Sequence, residues 1–442
     1  MTDALPKIAV LGAAGLIGEA LCLGLAREGF PVLPVARRFA PHQRAAFGAI
    51  SVTCPVTELD AGALASLLDG EKAGVVVNCL GVLQDSALGG TEDVHVGFVS
   101  RLIAALKTMP NPPLLIHVSV PGEASGDATP FSRTKRQAEQ MIAASGLAHI
   151  ILRPGFVLAD AAFGGGALMR ALAMLPVALP EAVASRPFMA TGIADIISSV
   201  NITARRWQAG ERSWAAAWDV MARERTTVGT VVEGLRRHLG GPAPRLTLPG
   251  WAMDLGAMAG DLAGRLGWQP PIGTTALAEL RRGIAGDPEP WIAATGIAPA
   301  SLAAALAGRA STVQERWFAR LYLAKALIIG TLVVFWCVSG LIALTVGFEG
   351  AASILITHGW APLPARLATA VSSLMDFSTG LAIGWRRTCR AGLLAGIGLS
   401  LFYMAAAAVL TPDLWIEPLG ALVKTGPAIV LMLVALAMGD NR

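Results

Sequence analysis

Residues 7–18 read Lys7-Ile-Ala-Val-Leu-Gly12-Ala-Ala-Gly15-Leu-Ile-Gly18. A short apolar run passes straight into a glycine triplet, and from Glu19 to Glu28 the apolar positions take helical spacing. The pattern predicts a strand, a tight turn and a helix whose free N-terminal amides and positive dipole end favour an anion. Glycine permits the turn and lets a pyrophosphate approach the backbone. The same spacing also arises where a helix simply packs closely on a strand, so the triplet is weak evidence by itself. Its setting strengthens it: it follows a strand, opens a helix and begins a βαβ unit, which is what dinucleotide binding requires. Gly12, Ala14, Gly15, Leu16, Ile17 and Gly18 are the expected cofactor loop.

Further strand patterns follow at Pro31–Ala36, Val75–Asn78 and Leu114–Ser119, with helical patterns between them. This alternation predicts an α/β fold, a Rossmann-type doubly wound parallel sheet with helices on both faces. An acidic residue at the end of the second strand would bind an adenosine ribose and repel a 2′-phosphate. The chain instead has Ala36-Arg37-Arg38, which favours NADP(H) over NAD(H) unless both arginines belong to a solvated loop.

The chain has 442 residues, too many for one ordinary domain, and a mean hydropathy of +0.58, high for a water-soluble enzyme. The apolar excess lies in the last part. Ala326–Phe348 carries no charge, Leu367–Trp385 contains only Asp376, Ala391–Thr411 is uncharged, and Leu419–Met438 has Lys424 near one end. A helix of about 20 apolar residues crosses a bilayer core, so a four-helix transmembrane bundle is expected over residues 311–442, after a nucleotide-binding domain over residues 1–310. Arg316, Arg320, Lys325, Arg386, Arg387, Arg390 and Arg442 flank alternate ends of the runs. By the positive-inside rule they place both termini and the nucleotide domain in the cytoplasm. No cleavable signal pattern precedes Ile8. Asp376 would face a bundle interior, a partner or a wet cavity; it marks either a small-molecule or quinone site or a polar link to Ser372, Ser373 or Ser378. Cys22, Cys54, Cys79, Cys337 and Cys389 show neither disulfide-framework nor metal-ligand spacing, and no basic groove with interleaved aromatics suggests nucleic acid.

Taken together, the glycine spacing, Asn78-Cys-Leu-Gly81, Ser119, Lys135 and Leu152-Arg153-Pro154-Gly155 resemble an extended or atypical short-chain dehydrogenase/reductase. They are similar to the NAD(P)-binding proteins predicted to be nucleoside-diphosphate-sugar epimerases and to the nucleotide-binding accessory subunit of mitochondrial complex I. The likeness covers roughly residues 5–310. The tail, with Pro412-Asp-Leu-Trp415 and Glu417-Pro-Leu-Gly420, resembles the DoxX-like membrane family, so the whole looks like a bacterial fusion of the two, placed in the inner membrane. The resemblance implies that Leu80 and Gly81 lie along the cofactor, that Ser119 hydrogen-bonds a substrate carbonyl and that Lys135 holds the nicotinamide ribose. It also puts Phe131 where the family has its catalytic tyrosine, and Thr53-Cys54-Pro55-Val56 where many relatives place an aspartate against the adenine.

A phenyl ring can neither donate nor accept the proton that the phenol exchanges. The only tyrosines, Tyr322 and Tyr403, belong to the membrane part. His117, on the strand face of Ser119, is the one candidate replacement, against the reading of it as a core histidine. The expected function is a membrane-anchored NADP(H)-dependent oxidoreductase acting on a lipid-like or quinone-like substrate; the alternative is a non-catalytic NADP(H)-binding sensor or assembly module. Residues 156–310 are read as a cap and linker, with Phe163-Gly164-Gly165-Gly166 as a flexible turn and Arg186-Pro187-Phe188-Met189 as a return strand. Helical stretches Ala252–Leu266 and Thr312–Leu323 lie near the bilayer, and Trp251, Trp268, Trp291 and Trp317 serve either as packing anchors or as part of a lipid-facing surface.

Overall fold

The computed structural model describes residues 5–85, 90–416, 420 and 422–439. They form two compact units: the chain up to Asp261 with Pro270–Ala319, and Leu262–Gln269 with the chain from Arg320 onward. Glu417, Leu419 and Arg442, used in the sequence reading, lie outside the described residues.

The first unit is built on a seven-stranded parallel sheet. Its strands are β1 (Lys7–Leu11), β2 (Val32–Ala36), β3 (Val52–Thr53), β4 (Ala73–Asn78), β5 (Leu114–Val118), β6 (His149–Pro154) and β7 (Ala215–Val220), in spatial order β7-β6-β5-β4-β1-β2-β3. Helices α1 (Leu16–Arg27), α2 (Pro41–Phe47), α3 (Ala61–Gly70), α4 (Phe98–Thr108) and α5 (Pro130–Ala143) supply the crossovers among β1 to β6. Strand alternation assigns the two faces. Ile8, Val10, Val75, Val77, Leu114 and Ile116 pack with Leu21 and Leu25 of α1 and with Ile196 and Val200 of the helix Ile193–Gln208. Ala9, Leu11, Val76 and Leu115 pack on the other side with Leu64, Leu102, Ala138 and Ile142 of α3, α4 and α5. The order of strands reverses between β1 and β4, and the crevice above their C-terminal ends is where such sheets hold ligands.

A smaller cap core follows, around Met169, Val183, Phe188, Val231, Met253 and Leu277. Phe163-Gly164-Gly165-Gly166, expected as a flexible turn, instead opens the helix Gly164–Ala173, with Phe163 as its N-cap. The return strand begins later than expected, at Ala190, and runs to Gly192, which caps the next helix.

Among the described residues, three helices are long and apolar enough to cross a membrane: Val313–Leu344, Pro362–Gly384 and Cys389–Leu410. The run expected as a fourth span contributes, among the described residues, the 13-residue apolar helix Thr425–Ala437, and a further short apolar helix, Phe348–Thr357, follows the first span. Packing relies on small residues: a Cβ added to Gly340 would lie 2.7 Å from the Ser373 carbonyl oxygen. Tyr403 Oη donates to Asp376 Oδ1 at 2.8 Å. Ser372 and Ser373 bond the Thr369 carbonyl of their own helix, so the partner of Asp376 is a tyrosine rather than those serines.

Candidate functional site

The glycines of the first loop have separate tasks. Gly12 has φ +88°, a left-handed conformation suited to glycine. Gly18 lets α1 approach the turn: a Cβ there would lie 2.3 Å from the Gly12 carbonyl oxygen. Gly15 is the N-cap of α1 with no side-chain capping bond, and an added Cβ would meet only the Gly12 oxygen, at 3.3 Å. This leaves an uncapped helix N-terminus at the switch point, fitted to a pyrophosphate. Gln43 of α2, 1% exposed, donates to the Ala14 carbonyl at 3.2 Å and to Glu19 Oε2 at 2.6 Å, fastening the loop from behind. Sequence reasoning missed that brace. Arg37 and Arg38 follow β2, and both are exposed.

Leu80 links the cofactor loop to α5. Its side chain lies against Gly12, its N–H donates to Asn78 Oδ1 at 3.1 Å, and its carbonyl accepts from Lys135 Nζ at 2.9 Å. Lys135 Nζ also donates to the Val118 carbonyl at 2.9 Å, bridging the chain just beyond β4 to the end of β5. A Cβ on Gly81 would sit 3.3 Å from the same nitrogen. Burial pulls the Lys135 ammonium down to about 8, with Cys79 and Glu139 acting in the opposite sense. The Cys79 thiol is pushed up to about 12 by burial, which leaves it protonated and inert at neutral pH.

The segment opening α5 is set by Thr129, the N-cap that accepts from Ser132 N at 3.1 Å, and by Pro130 in the first turn. Helical periodicity then puts Phe131 and Lys135 on one face. Phe131 meets His95 edge-on, with ring centroids 5.7 Å apart. His95 lies on the single π-helical turn Asp93–Gly97. Its Nε2 accepts from Val82 N at 3.1 Å, and its Nδ1 lies 2.7 Å from Thr134 Oγ1. Desolvation, then the charge of Lys135, lowers His95 to about 3. Both nitrogens are occupied and the ring is neutral, so His95 fills space beside Phe131. No motif in the sequence pointed to it; the only signal was a histidine among apolar helix residues.

Ser119 comes immediately after β5, buried, with its Oγ lacking a hydrogen-bond partner among the described residues. His117 is 1% exposed; its Nδ1 lies 3.1 Å from Asn78 Nδ2. Because Asn78 Oδ1 already accepts from Leu80, the amide donates to His117, which puts the ring proton on Nε2, without a partner among the described residues. Burial and then Lys135 hold His117 well below its ordinary range, as a neutral imidazole.

One turn beyond Lys135, α5 also carries a buried ion network. Glu139 accepts from Arg136 Nη1 at 2.8 Å and Arg153 Nη2 at 2.5 Å, while Asp127 pairs with Arg136 Nε at 3.1 Å and Arg282 Nη1 at 3.0 Å. Arg282 also bonds Glu279, which accepts from Thr129 Oγ1. The cap helix Thr274–Arg282 thereby fixes the loop that leads from Ser119 to Phe131, and Arg153 ties β6 to α5.

With this geometry, residues 8–160 match the NAD dependent epimerase/dehydratase family, and residues 333–433 match the DoxX-like family. Over 133 residues the chain is 30% identical to dTDP-6-deoxy-L-talose 4-dehydrogenase (NAD(P)(+)) of Kitasatospora kifunensis; the match covers 30% of this chain and 40% of that relative, less than half its length. The structure of UDP-glucuronic acid 4-epimerase from Bacillus cereus with UDP-glucuronic acid and NAD superposes with a TM-score of 0.51 at 16% identity, over 72% of this chain and 99% of that one. A tyrosine-to-phenylalanine variant of the same epimerase, with NAD and a fluorinated substrate analogue, superposes equally, at the same score, identity and coverage. Likeness at this identity establishes the fold. Residues 8–160 are therefore similar to an NAD dependent epimerase/dehydratase domain, on the fold of the solved epimerases, and residues 333–433 are similar to the DoxX-like family.

Proposed function

We propose that the protein is a membrane-anchored NADP(H)-binding reductase for a lipid-like or quinone-like carbonyl compound, anchored in a bacterial inner membrane with its nucleotide domain in the cytoplasm. The observation that carries it is the buried Ser119 Oγ just beyond β5, without a hydrogen-bond partner among the described residues, alongside a glycine loop whose uncapped helix N-terminus is open to a pyrophosphate. Gly12 to Gly18 would hold the diphosphate, Arg37 or Arg38 a 2′-phosphate, and Leu80 and Gly81 the path toward the nicotinamide. When bound, the nicotinamide supplies a hydride.

Ser119 Oγ would donate to the substrate oxygen. Neither Phe131 nor the neutral, depressed His95 and His117 can deliver a proton readily. Lys135 Nζ, near pH 8, is the one neighbouring group that exchanges a proton close to neutrality. An ordinary ketone becomes an alkoxide on reduction and needs a proton at once. A quinone-like acceptor becomes a stabilised phenolate and depends far less on a positioned acid. The residues at 131 and 135 therefore favour the second class.

The test is NADPH oxidation by the full-length protein with soluble aldehydes, ketones and sugar nucleotides, and with a short-chain quinone. Turnover well below about 1 s⁻¹ is expected with the first group, against about 10 s⁻¹ for a typical enzyme, and faster turnover with the quinone. Brisk reduction of soluble carbonyls that His117→Ala abolishes would sink this assignment. A second reading, a non-catalytic NADP(H) sensor, draws on the commitment of Lys135 Nζ to two backbone carbonyls; it predicts saturable NADPH binding and no turnover with any acceptor.

A further inference from the structure

The tryptophans of the cap and linker divide sharply. Trp291 is 0% exposed and donates to Ser199 Oγ at 2.9 Å, a packing anchor. Trp251 is 68% exposed and Trp317 63%. Each begins or centres an apolar stripe. On the helix Gly250–Arg265, Trp251, Leu255, Met258 and Leu262 recur at steps of four, three and four residues, and each is at least 58% exposed. Met253, Ala257 and Gly260, on the opposite side, are the buried residues. A helix apolar on both sides needs a second apolar environment. The acids flanking the stripe are already engaged: Asp254 with Arg281 at 2.7 Å, Asp261 with Thr274 Oγ1 at 2.7 Å. On the helix Val313–Leu344, Val313, Trp317 and Leu321 repeat every four residues and are all exposed.

What covers these stripes follows from where the chain goes next. Both helices are points at which the chain passes into the apolar unit. Leu321 precedes the charge-free run from Ala326 by five residues, about 7–8 Å of helix. Just beyond Arg265, the Leu266 carbonyl accepts from Arg386 N at 3.0 Å, and Trp268 Nε1 donates to the Gly384 carbonyl at 2.8 Å, with the Arg386 guanidinium 5.3 Å from the Trp268 ring. Gly384 ends a span-length helix, and Arg386, Arg387 and Arg390 follow it. Arginines and tryptophans at the end of a span belong to the headgroup zone.

We infer that the helix Gly250–Arg265 and the first turns of Val313–Leu344 lie in the surface of the lipid bilayer, with Trp251, Leu255, Met258, Leu262 and Trp317 inserted at the boundary between headgroups and acyl chains. Asp261 also contacts Gln84 at 3.3 Å and holds the start of the helix Thr274–Arg282, whose far end clamps the loop after Ser119.

The test uses the full chain, with its five cysteines replaced by serine, in vesicles of phosphatidylethanolamine and phosphatidylglycerol. A nitrobenzoxadiazole label is placed at Leu255→Cys, at Met258→Cys or, as control, at exposed Asp69→Cys. Lipids carrying a nitroxide near the headgroup should quench the first two labels several-fold more than the third, and aqueous iodide should do the reverse. Equal iodide quenching at all three overturns the inference. So does self-quenching at residues 255 and 258 that fades as the protein is diluted in lipid, since the stripe then meets a second copy. Independently, Trp251→Ser/Leu255→Ser should unfold at the wild-type temperature in detergent yet be cleaved near residues 241–249 about ten-fold faster in vesicles. Unchanged cleavage would also overturn it.

Discussion

Lys135 shows how one residue can serve both the fold and the site. Its ammonium is buried and held by two carbonyls, and burial brings it to about 8 from an ordinary 10.5. Below pH 8 the folded and unfolded chains both carry the proton, so this group adds no pH dependence. Between about 8 and 10.5 the unfolded chain keeps a proton that the folded one has shed, and the contribution of this group to stability rises with pH, by on the order of 3 kcal/mol across the window. The buried thiols of Cys22 and Cys79, raised by burial, act in the opposite sense above about pH 9, so the effect of Lys135 is read as a difference: in denaturant unfolding followed by tryptophan fluorescence, the wild type should gain stability relative to Lys135→Met across that window. Arg37 and Arg38 carry a second expectation: NADPH should bind about ten- to a hundred-fold more tightly than NADH through charge-assisted contacts. Fluorescence titration of Arg37→Asp/Arg38→Ser should remove the preference. The sequence made Phe131, Ser119 and Lys135 legible because motif spacing fixes their places on α5 and β5. His95 and Gln43 were not legible, because their positions depend on a π-helical turn and on the way α2 folds back over the glycine loop, and neither has a local signature.

Among the elements, β1 and the start of α1 were readable almost to the residue, since apolar strand, glycine turn and helix periodicity agree over 7–28. The glycine triplet also separates two energetic tasks that sequence alone merges. Adding a methyl at residue 18 drives a Cβ to 2.3 Å from one backbone oxygen and 2.9 Å from the Ala13 Cα, which no rotamer can relieve. Adding one at residue 15 meets a single atom at 3.3 Å but occupies the side open to a pyrophosphate. Gly18→Ala should therefore lower stability by about 1–3 kcal/mol or more, as overpacked sites do. Gly15→Ala should fold with a nearly unchanged midpoint while losing NADPH affinity at least ten-fold. Thermal unfolding and cofactor titration on the same two preparations decide between them. Where sequence reading failed, context overruled composition. Gly164 to Gly166 look like a flexible turn, yet the helix they open runs on through residues Ala167, Met169, Ala171 and Ala173, all buried in the cap.

For the whole molecule, the open question is how many times the chain crosses the bilayer, and charge and length give different answers. Alternating basic flanks predict four crossings with both termini cytoplasmic. Among the described residues helix length gives three, because Thr425–Ala437 spans 13 residues, about 20 Å, against a hydrocarbon core of about 30 Å. A short span can still be accommodated by local thinning of the bilayer, and Lys424 at its start can snorkel toward the surface. Either count keeps the charge-rich Arg386–Arg390 turn on the side where NADP(H) is found. Single cysteines at Thr357, Asp413, Arg387 and Gly439, in a background without the native cysteines, separate the possibilities. A membrane-impermeant maleimide applied to intact spheroplasts should label residues 357 and 413 and leave 387 and 439 unlabelled until the membrane is opened. Labelling at 439 together with 357 and 413 would mean three crossings, with the final helix unable to span. Labelling at 387, with 357 and 413 protected, would invert the protein, place the Rossmann domain away from its cofactor and remove the basis for a reductase.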